Sequence, residues 1–445
     1  MMKRVHPLPP SPGVASVRHL GTDPLHGPMT LVRDYGPLVY LPVGPGFAPI
    51  YVVGEPEMVE QVLVKERDKY IKDRYLRWMT PIFGNSILVS EGDHWRRSRR
   101  LMAPAFHRRA LQHYGDVMVR ATNDALDRLD LSRGFASNRW SMELTLDIVL
   151  ECLFGAELGD KGPRVAKALD DLMIFADHIV GRVVPPWEPW PTKASRAVER
   201  GMRAIHEVID EIIAERHKSS EEHEDLLAML LGSRDEDGTG LSDEEVREEV
   251  ITLMLAGHET TALTIAYALM LLGWNPGVVE KAQAELDAVV GDRVPTMQDL
   301  PNLPYNEQIV KEALRMYPPA SIIARQTIEE DEIAGYPIPV GAQVTIPIWG
   351  LHHDERWYPR PYHFEPERWT PELEKSRPRY SFVAFGGGNR VCIGEAFARM
   401  EARLVLARVL QLFHPKTLIE TPPKMTLSIT LRPNTDIPVE LQPRR

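Results

Sequence analysis

The sequence predicts a mainly α fold with a minor β part, organised about one long buried helix. Three observations carry that expectation. A helical pattern opens at Ser242-Asp243-Glu244-Glu245 and runs unbroken to about Gly273. Strand-like alternation appears in three separated places, near 38–53, 322–348 and 425–442. The rest carries apolar residues at helical spacing, punctuated by proline clusters at 7–12, 185–191, 295–304 and 359–371. Because the β part is scattered along the chain, one domain over residues 1–445 is expected, helical outside those three regions.

In chain order, residues 38–53 (LVYLPVGPGFAPIYVV) read as two strands around a Gly/Pro turn. Helical character begins at 56 and recurs over 95–130 and 140–155, and PPWEPWP at 185–191 reads as a loop. Residues 196–217 form a charged amphipathic helix, and the acidic stretch 219–240 a loop with a short helix. The long helix starts with a capping-box pattern at Ser242 and stops at Trp274-Asn275-Pro276. Roughly thirty residues at ~1.5 Å each give about 45 Å, enough to cross the molecule. Its central part is apolar all round, so it should be buried. Helices over 277–290 and 305–316 follow, the second stopped by Pro318-Pro319, then short strands over 322–348. Cys392 precedes a further helix to about Phe413, and the tail over 425–442 returns to strands.

Composition excludes several function classes. Fifty-two basic against 63 acidic residues give a net charge of -11, unsuited to general nucleic-acid binding. Two cysteines, Cys152 and Cys392, cannot build a disulfide framework. Cys152, in LDIVLECLFG, reads as a core cysteine. The opening MMKRVHPLPPSPG has no apolar stretch for a leader, and the apolar region 251–272 is interrupted by Gly257, His258, Glu259, Thr260 and Thr261. A cytoplasmic monomer without a membrane anchor is expected.

The segment FGGGNRVCIG, Phe385 to Gly394, carries the chemistry. Three consecutive glycines allow positive φ and close approach of a flat partner. A cysteine just before a helix start gains thiolate character and is a soft ligand for iron. An isolated cysteine beside a glycine turn would read as a buried structural thiol; Phe385, Gly388, Arg390 and Gly394 around it reverse that balance. The ten residues resemble the F-x-x-G-x-R-x-C-x-G signature of the cytochrome P450 superfamily of haem-thiolate monooxygenases. Three further motifs occur in that family's order, so the resemblance covers nearly the whole chain.

Glu312-Ala313-Leu314-Arg315 is similar to the family's E-x-x-R, whose spacing places both side chains on one helix face. Taken alone it would read as a solvated surface pair. Pro366-Glu367-Arg368-Trp369 resembles the P-E-R-F segment with Trp for Phe. The resemblance implies a buried triad of Glu312, Arg315 and Arg368 that fixes the cysteine loop. Ala256-Gly257-His258-Glu259-Thr260-Thr261 places an acid and two threonines in the middle of a buried helix, where hydroxyls can bond carbonyls four residues back. A helix kink with satisfied polar groups is the plainer reading. By resemblance, Glu259 and Thr260 deliver protons on the oxygen side of the haem, with Ala256 beside it. Trp95 and Arg99 match a W-x-x-x-R propionate motif, and Arg390 and Arg325 match further propionate partners.

The resemblance therefore implies the cytochrome P450 fold, with the long helix crossing over haem b (iron protoporphyrin IX), and Cys392 as the iron's thiolate ligand. It also implies O2 as co-substrate, with NAD(P)H electrons arriving through a separate ferredoxin or flavodoxin and its reductase. Arg96, Arg97, Arg100, Arg108 and Arg109 read either as a solvated face or as a basic proximal patch that docks such a partner. His352 and His353 read as structural rather than metal-binding. The implied pocket includes Leu255, Ala256, Ala320, Ile322, Ile323 and Ile429, mostly apolar, which suits a lipophilic substrate, with fatty acids and terpenoids or other isoprenoids favoured. Two alternatives remain: a peroxide-using hydroxylase, which typically lacks the acid–threonine pair, and a haem-binding sensor without turnover.

Overall fold

The computed structural model describes residues 8–13, 23, 25–42, 48–155, 161–179, 193–219, 221 and 223–444. They are mainly helical, with small sheets, and divide into two compact units. The first comprises residues up to Arg77 together with Lys311–Cys392; the second comprises Trp78–Val310 and Ile393–Arg445. Helix Pro304–Met316 runs across the second division between them.

The first unit is built on a five-stranded sheet in the spatial order Leu38–Leu41, Ile50–Val53, Gln343–Ile346, Ile323–Thr327, Tyr70–Lys72. The first two strands pair antiparallel from Leu38 opposite Val53 to Leu41 opposite Ile50, as the alternation predicts, while their turn lies outside the described residues. Strands distant in sequence complete the sheet: Ile50–Val53 runs parallel to Gln343–Ile346. A core of Tyr51, Val53, Val59, Val344, Ile346 and Leu351 packs against it. Its edge is tied by the Asp331 carboxylate, which accepts from Tyr70 Oη at 2.6 Å and Lys69 Nζ at 2.9 Å.

The second unit contains the long helix, Asp243–Trp274. Ser242 Oγ accepts the Glu245 N–H at 3.2 Å and the Glu245 carboxylate accepts the Ser242 N–H at 2.8 Å, the reciprocal cap read from sequence. The helix ends where Asn275 and Pro276 stop it, Pro276 opening the next helix, Pro276–Val289. It is the one described helix long and apolar enough to cross a membrane, yet 78% of its apolar window is buried, as a core helix requires. Helix Ser137–Phe154 packs along it. Two neighbouring acids on its first half hold a preceding segment by its backbone: Glu248 Oε2 accepts the Asn85 N–H at 2.9 Å, and both oxygens of Glu249 accept the Ile87 N–H at 2.9 and 3.0 Å. Burial raises Glu249 to about 7. The acidic stretch after 219 contains helix Leu226–Gly232, capped by Asp225. PPWEPWP at 185–191 lies outside the described residues.

Candidate functional site

In the first unit the segment Phe385–Cys392 folds back on itself. Gly386 and Gly388 take φ of 76° and 66°, which L side chains rarely adopt. A Cβ at Gly388 would lie 2.0 Å from the Leu63 carbonyl oxygen, so glycine is required there on two counts. The Cys392 N–H donates to the Phe385 carbonyl at 3.0 Å, closing the loop. Phe385 and Arg390 are half-buried and Cys392 is exposed, three residues before helix Glu395–Leu412 begins.

The same unit holds a buried charge cluster. Glu312 and Arg315 have fully buried side chains, and Arg368 is nearly so. Glu312 Oε1 accepts from Arg315 Nη2 at 2.8 Å, Arg368 Nε at 3.2 Å and the Glu365 N–H at 3.1 Å. Glu312 Oε2 accepts from Arg315 Nε at 2.9 Å and Trp369 Nε1 at 2.9 Å. The sequence reading treats Trp369 as an aromatic stand-in for Phe; its indole N–H in fact adds a hydrogen bond that Phe could not make. Arg315 Nη1 donates to the His352 carbonyl at 2.8 Å, and Arg368 Nη2 to the Arg360 carbonyl at 2.8 Å. Every buried charge here has a partner, the condition under which such a cluster is tolerated.

Elsewhere in this unit, Arg325 is buried on strand Ile323–Thr327 and its Nη1 donates to the Ala324 carbonyl at 2.9 Å. Ala320, Ile322 and Ile323 are half-buried. His352 Nε2 accepts the Val383 N–H at 3.0 Å and His353 Nδ1 bonds the Trp349 carbonyl at 2.8 Å, so both histidines have structural partners.

In the second unit the middle of the long helix is buried except along one stripe. Leu253, Gly257 and Thr260 are half-buried and Ala256 is exposed, positions that fall on one helix face. Leu255, one residue away, is buried. Three carbonyls in this stretch accept hydroxyl protons: Ala256 from Thr260 Oγ1 at 2.7 Å, His258 from Thr145 Oγ1 at 2.9 Å, and Thr260 from Thr264 Oγ1 at 2.9 Å. The helix nevertheless continues unbroken through them. Glu259 is 3% exposed; it accepts from Thr430 Oγ1 at 2.8 Å and is ion-paired with Arg432. The resemblance reaches Thr430 as a neighbour of Ile429 in the implied pocket, but nothing in the sequence pairs Thr430 or Arg432 with the acid, 171 and 173 residues away. Ile429, beside Thr430, is 41% exposed. Trp95 is buried and Arg99 half-buried on helix Gly92–Met102. Arg96, Arg100 and Arg109 are exposed, whereas Arg97 is drawn to Asp235 and Glu245.

One exposed thiol at a glycine loop suits an iron that brings its remaining ligands with it. Among the described residues no group of three or more His, Cys, Asp or Glu could hold a bare metal ion. A thiolate donor fits iron in a macrocycle, with positive-φ glycines allowing a flat group to approach. Cys152, buried on helix Ser137–Phe154 with its thiol pushed up by burial, offers no such donor.

Residues 5–439 match the family model described as Cytochrome P450. The chain is 34% identical over 404 residues to the cyclooctatin synthase of Streptomyces melanosporofaciens, covering 88% of this chain and 87% of that protein. It is 34% identical over 379 residues to the cyclooctat-9-en-7-ol 5-monooxygenase of the same organism, covering 84% and 82%. Against the pentalenene oxygenase of Streptomyces avermitilis it is 33% identical over 406 residues, covering 87% and 86%.

Proposed function

The chain belongs to the cytochrome P450 family, and on that premise we propose that it oxygenates a terpenoid, with electrons from a ferredoxin or flavodoxin and its reductase. Membership makes it a monooxygenase with haem-thiolate iron that uses O2 and partner-delivered reductant on a lipophilic substrate. The observation that carries the site is Cys392, exposed at the end of a loop closed by its own backbone hydrogen bonds. The relatives named for pentalenene and for cyclooctat-9-en-7-ol support the terpenoid class. The family match runs through both units, which supports reading residues 1–445 as one haem domain.

When bound, haem b supplies the activation of O2 and insertion of one oxygen atom into a C–H or C=C bond. Cys392 would hold its iron as thiolate, and Arg390, Arg325, Trp95 and Arg99 are the proposed partners of its propionates. The Thr260 hydroxyl stands on the open stripe of the long helix beside Ala256 and Gly257, where it can order a proton donor. The Thr430 hydroxyl and the Glu259 carboxyl form a hydrogen-bonded step of a proton route, and the partly exposed Arg432 holds that carboxyl in place as its ion-pair partner. The exposed Arg96, Arg100 and Arg109 are the basic residues proposed to receive an acidic redox partner.

The test has two arms. Cys392→Ser should abolish the far-red-shifted Soret band of the reduced CO complex; persistence of that band with Cys152 as the remaining thiol would remove Cys392 from the iron. A spin-state titration of the haem should respond to cyclic terpenoids at lower concentration than to fatty acids, and product should then form only with NAD(P)H, a ferredoxin and its reductase. Turnover driven equally well by peroxide alone would favour the peroxide-using alternative.

A further inference from the structure

The hydrogen bonds of the charge cluster run to His352, Arg360, Glu365 and Trp369 rather than to the cysteine loop. Something must carry the position of one to the other. Arg315 Nη1 holds the carbonyl of His352 at 2.8 Å, at the end of the short helix Ile348–His352. The ring of the same residue reaches the other way, and its Nε2 accepts the Val383 N–H at 3.0 Å. Val383 in turn accepts the Gly386 N–H at 2.9 Å, which sets the first turn of the glycine run, and the Phe385 carbonyl accepts the Cys392 N–H at 3.0 Å. A series of hydrogen bonds, joined through His352, Val383 and the Phe385–Gly386 peptide, thus leads from Glu312 to Cys392.

We propose that His352 is the positioning residue that couples the Glu312–Arg315–Arg368 cluster to the Cys392 loop, by accepting the Val383 N–H on Nε2 while Arg315 fixes its backbone. The role rests on reading Cys392 as the iron ligand. Only an acceptor satisfies the buried Val383 amide, so the ring must be neutral with its proton on Nδ1. The surroundings enforce that state: His352 is fully buried, and burial together with the Arg315 charge lowers it to about 3. Nδ1 makes no direct hydrogen bond of good geometry, and the backbone of Leu314 and Arg315 favours its proton more weakly. The ring also stacks on Phe382, with centroids 4.9 Å apart and planes at 20°, which fixes its orientation. A second tie enters the same segment beside it, from Tyr358 Oη to the Ser381 carbonyl at 3.3 Å, and the Tyr358 ring lies under Arg315. The segment before the loop is therefore held at two points that both refer back to Arg315.

The test compares two variants of the holoenzyme. His352→Phe keeps ring volume and stacking but removes the acceptor; His352→Gln keeps an acceptor oxygen of similar reach. In His352→Phe, amide exchange at Val383, Gly386 and Cys392 should accelerate roughly tenfold or more, as expected for an orphaned buried N–H. Exchange in helix Pro304–Met316 should not change. The fraction of reduced CO complex showing the far-red-shifted Soret band should fall, and His352→Gln should restore both readings. Unchanged exchange at the three amides in His352→Phe would overturn the proposal. So would equal acceleration of helix Pro304–Met316, which would make His352 a packing residue. Should His352→Phe fail to fold, His352→Gln decides alone, with wild-type exchange at Val383 supporting the role and fast exchange refuting it. The exchange arm reads the loop whether or not Cys392 ligates iron; absence of the far-red band in wild type would instead refute the ligand assignment.

Discussion

Removing the Glu312 carboxylate is the sharpest perturbation the first unit allows. In Glu312→Ala, two guanidiniums that are nearly or fully buried lose the same anion, and the Trp369 indole and Glu365 N–H lose their acceptor. Taking one partner from a buried ion pair costs about 3–5 kcal/mol, because the survivor cannot recover its hydration. Arg368 keeps the Glu365 carboxylate as a partner at 2.9 Å, so the loss falls mainly on the fully buried Arg315 and places the variant at about 3–5 kcal/mol. Each neutral donor left without a partner would add ~1–3 kcal/mol if the effects were independent, but they share one cavity and will not add fully. Against a total stability of about 5–15 kcal/mol, the variant should be largely unfolded or unable to retain haem at 37 °C, a temperature at which such losses commonly abolish folding. Glu312→Gln keeps the volume and one acceptor oxygen, so it should fall between Ala and wild type. The double variant Glu312→Leu/Arg315→Met should recover part of the loss, since apolar replacement of a buried pair is often neutral. The assay is denaturant unfolding followed both by circular dichroism and by the Soret band. A Glu312→Ala protein within ~1 kcal/mol of wild type would show that the cluster behaves like a solvated surface pair and refute the reasoning.

Gly388→Ala should sharply reduce haem-replete protein, since φ is 66° and the added Cβ meets the Leu63 carbonyl at 2.0 Å; Gly257→Ala, whose Cβ meets only Val149 at 3.6 Å, should retain the fold by melting temperature. Glu249 gives a pH signature. Its folded value of about 7 lies above 4.5, so the unfolded chain releases this proton first, and stability should decline by ~3 kcal/mol as pH rises from 4.5 to about 7, then level off. Glu249→Gln should flatten that part of the stability–pH curve, and an unchanged slope would remove Glu249 as its source. Thr260→Ala removes a hydroxyl from the open stripe without touching the cysteine loop. NAD(P)H consumption should continue while product per NAD(P)H falls several-fold and hydrogen peroxide rises; an unchanged ratio would transfer proton ordering to another group.

By itself the sequence determined what is local. The capping box at Ser242 and the stop at Asn275-Pro276 bound the long helix because caps and prolines act within a turn or two. The glycine run before Cys392 and the three-residue spacing of Glu312 and Arg315 were legible for the same reason: backbone conformation and helix faces follow from neighbours in the chain. What only the tertiary structure decided is which distant groups complete those motifs. His352 and Val383 are 31 residues apart, Glu312 and Trp369 57, Glu249 and Ile87 162, and Glu259 and Arg432 173. No periodicity encodes such a pairing. A buried carboxylate or amide must be satisfied by whatever side chain the packed core brings within about 3 Å, and that choice is made by the fold as a whole.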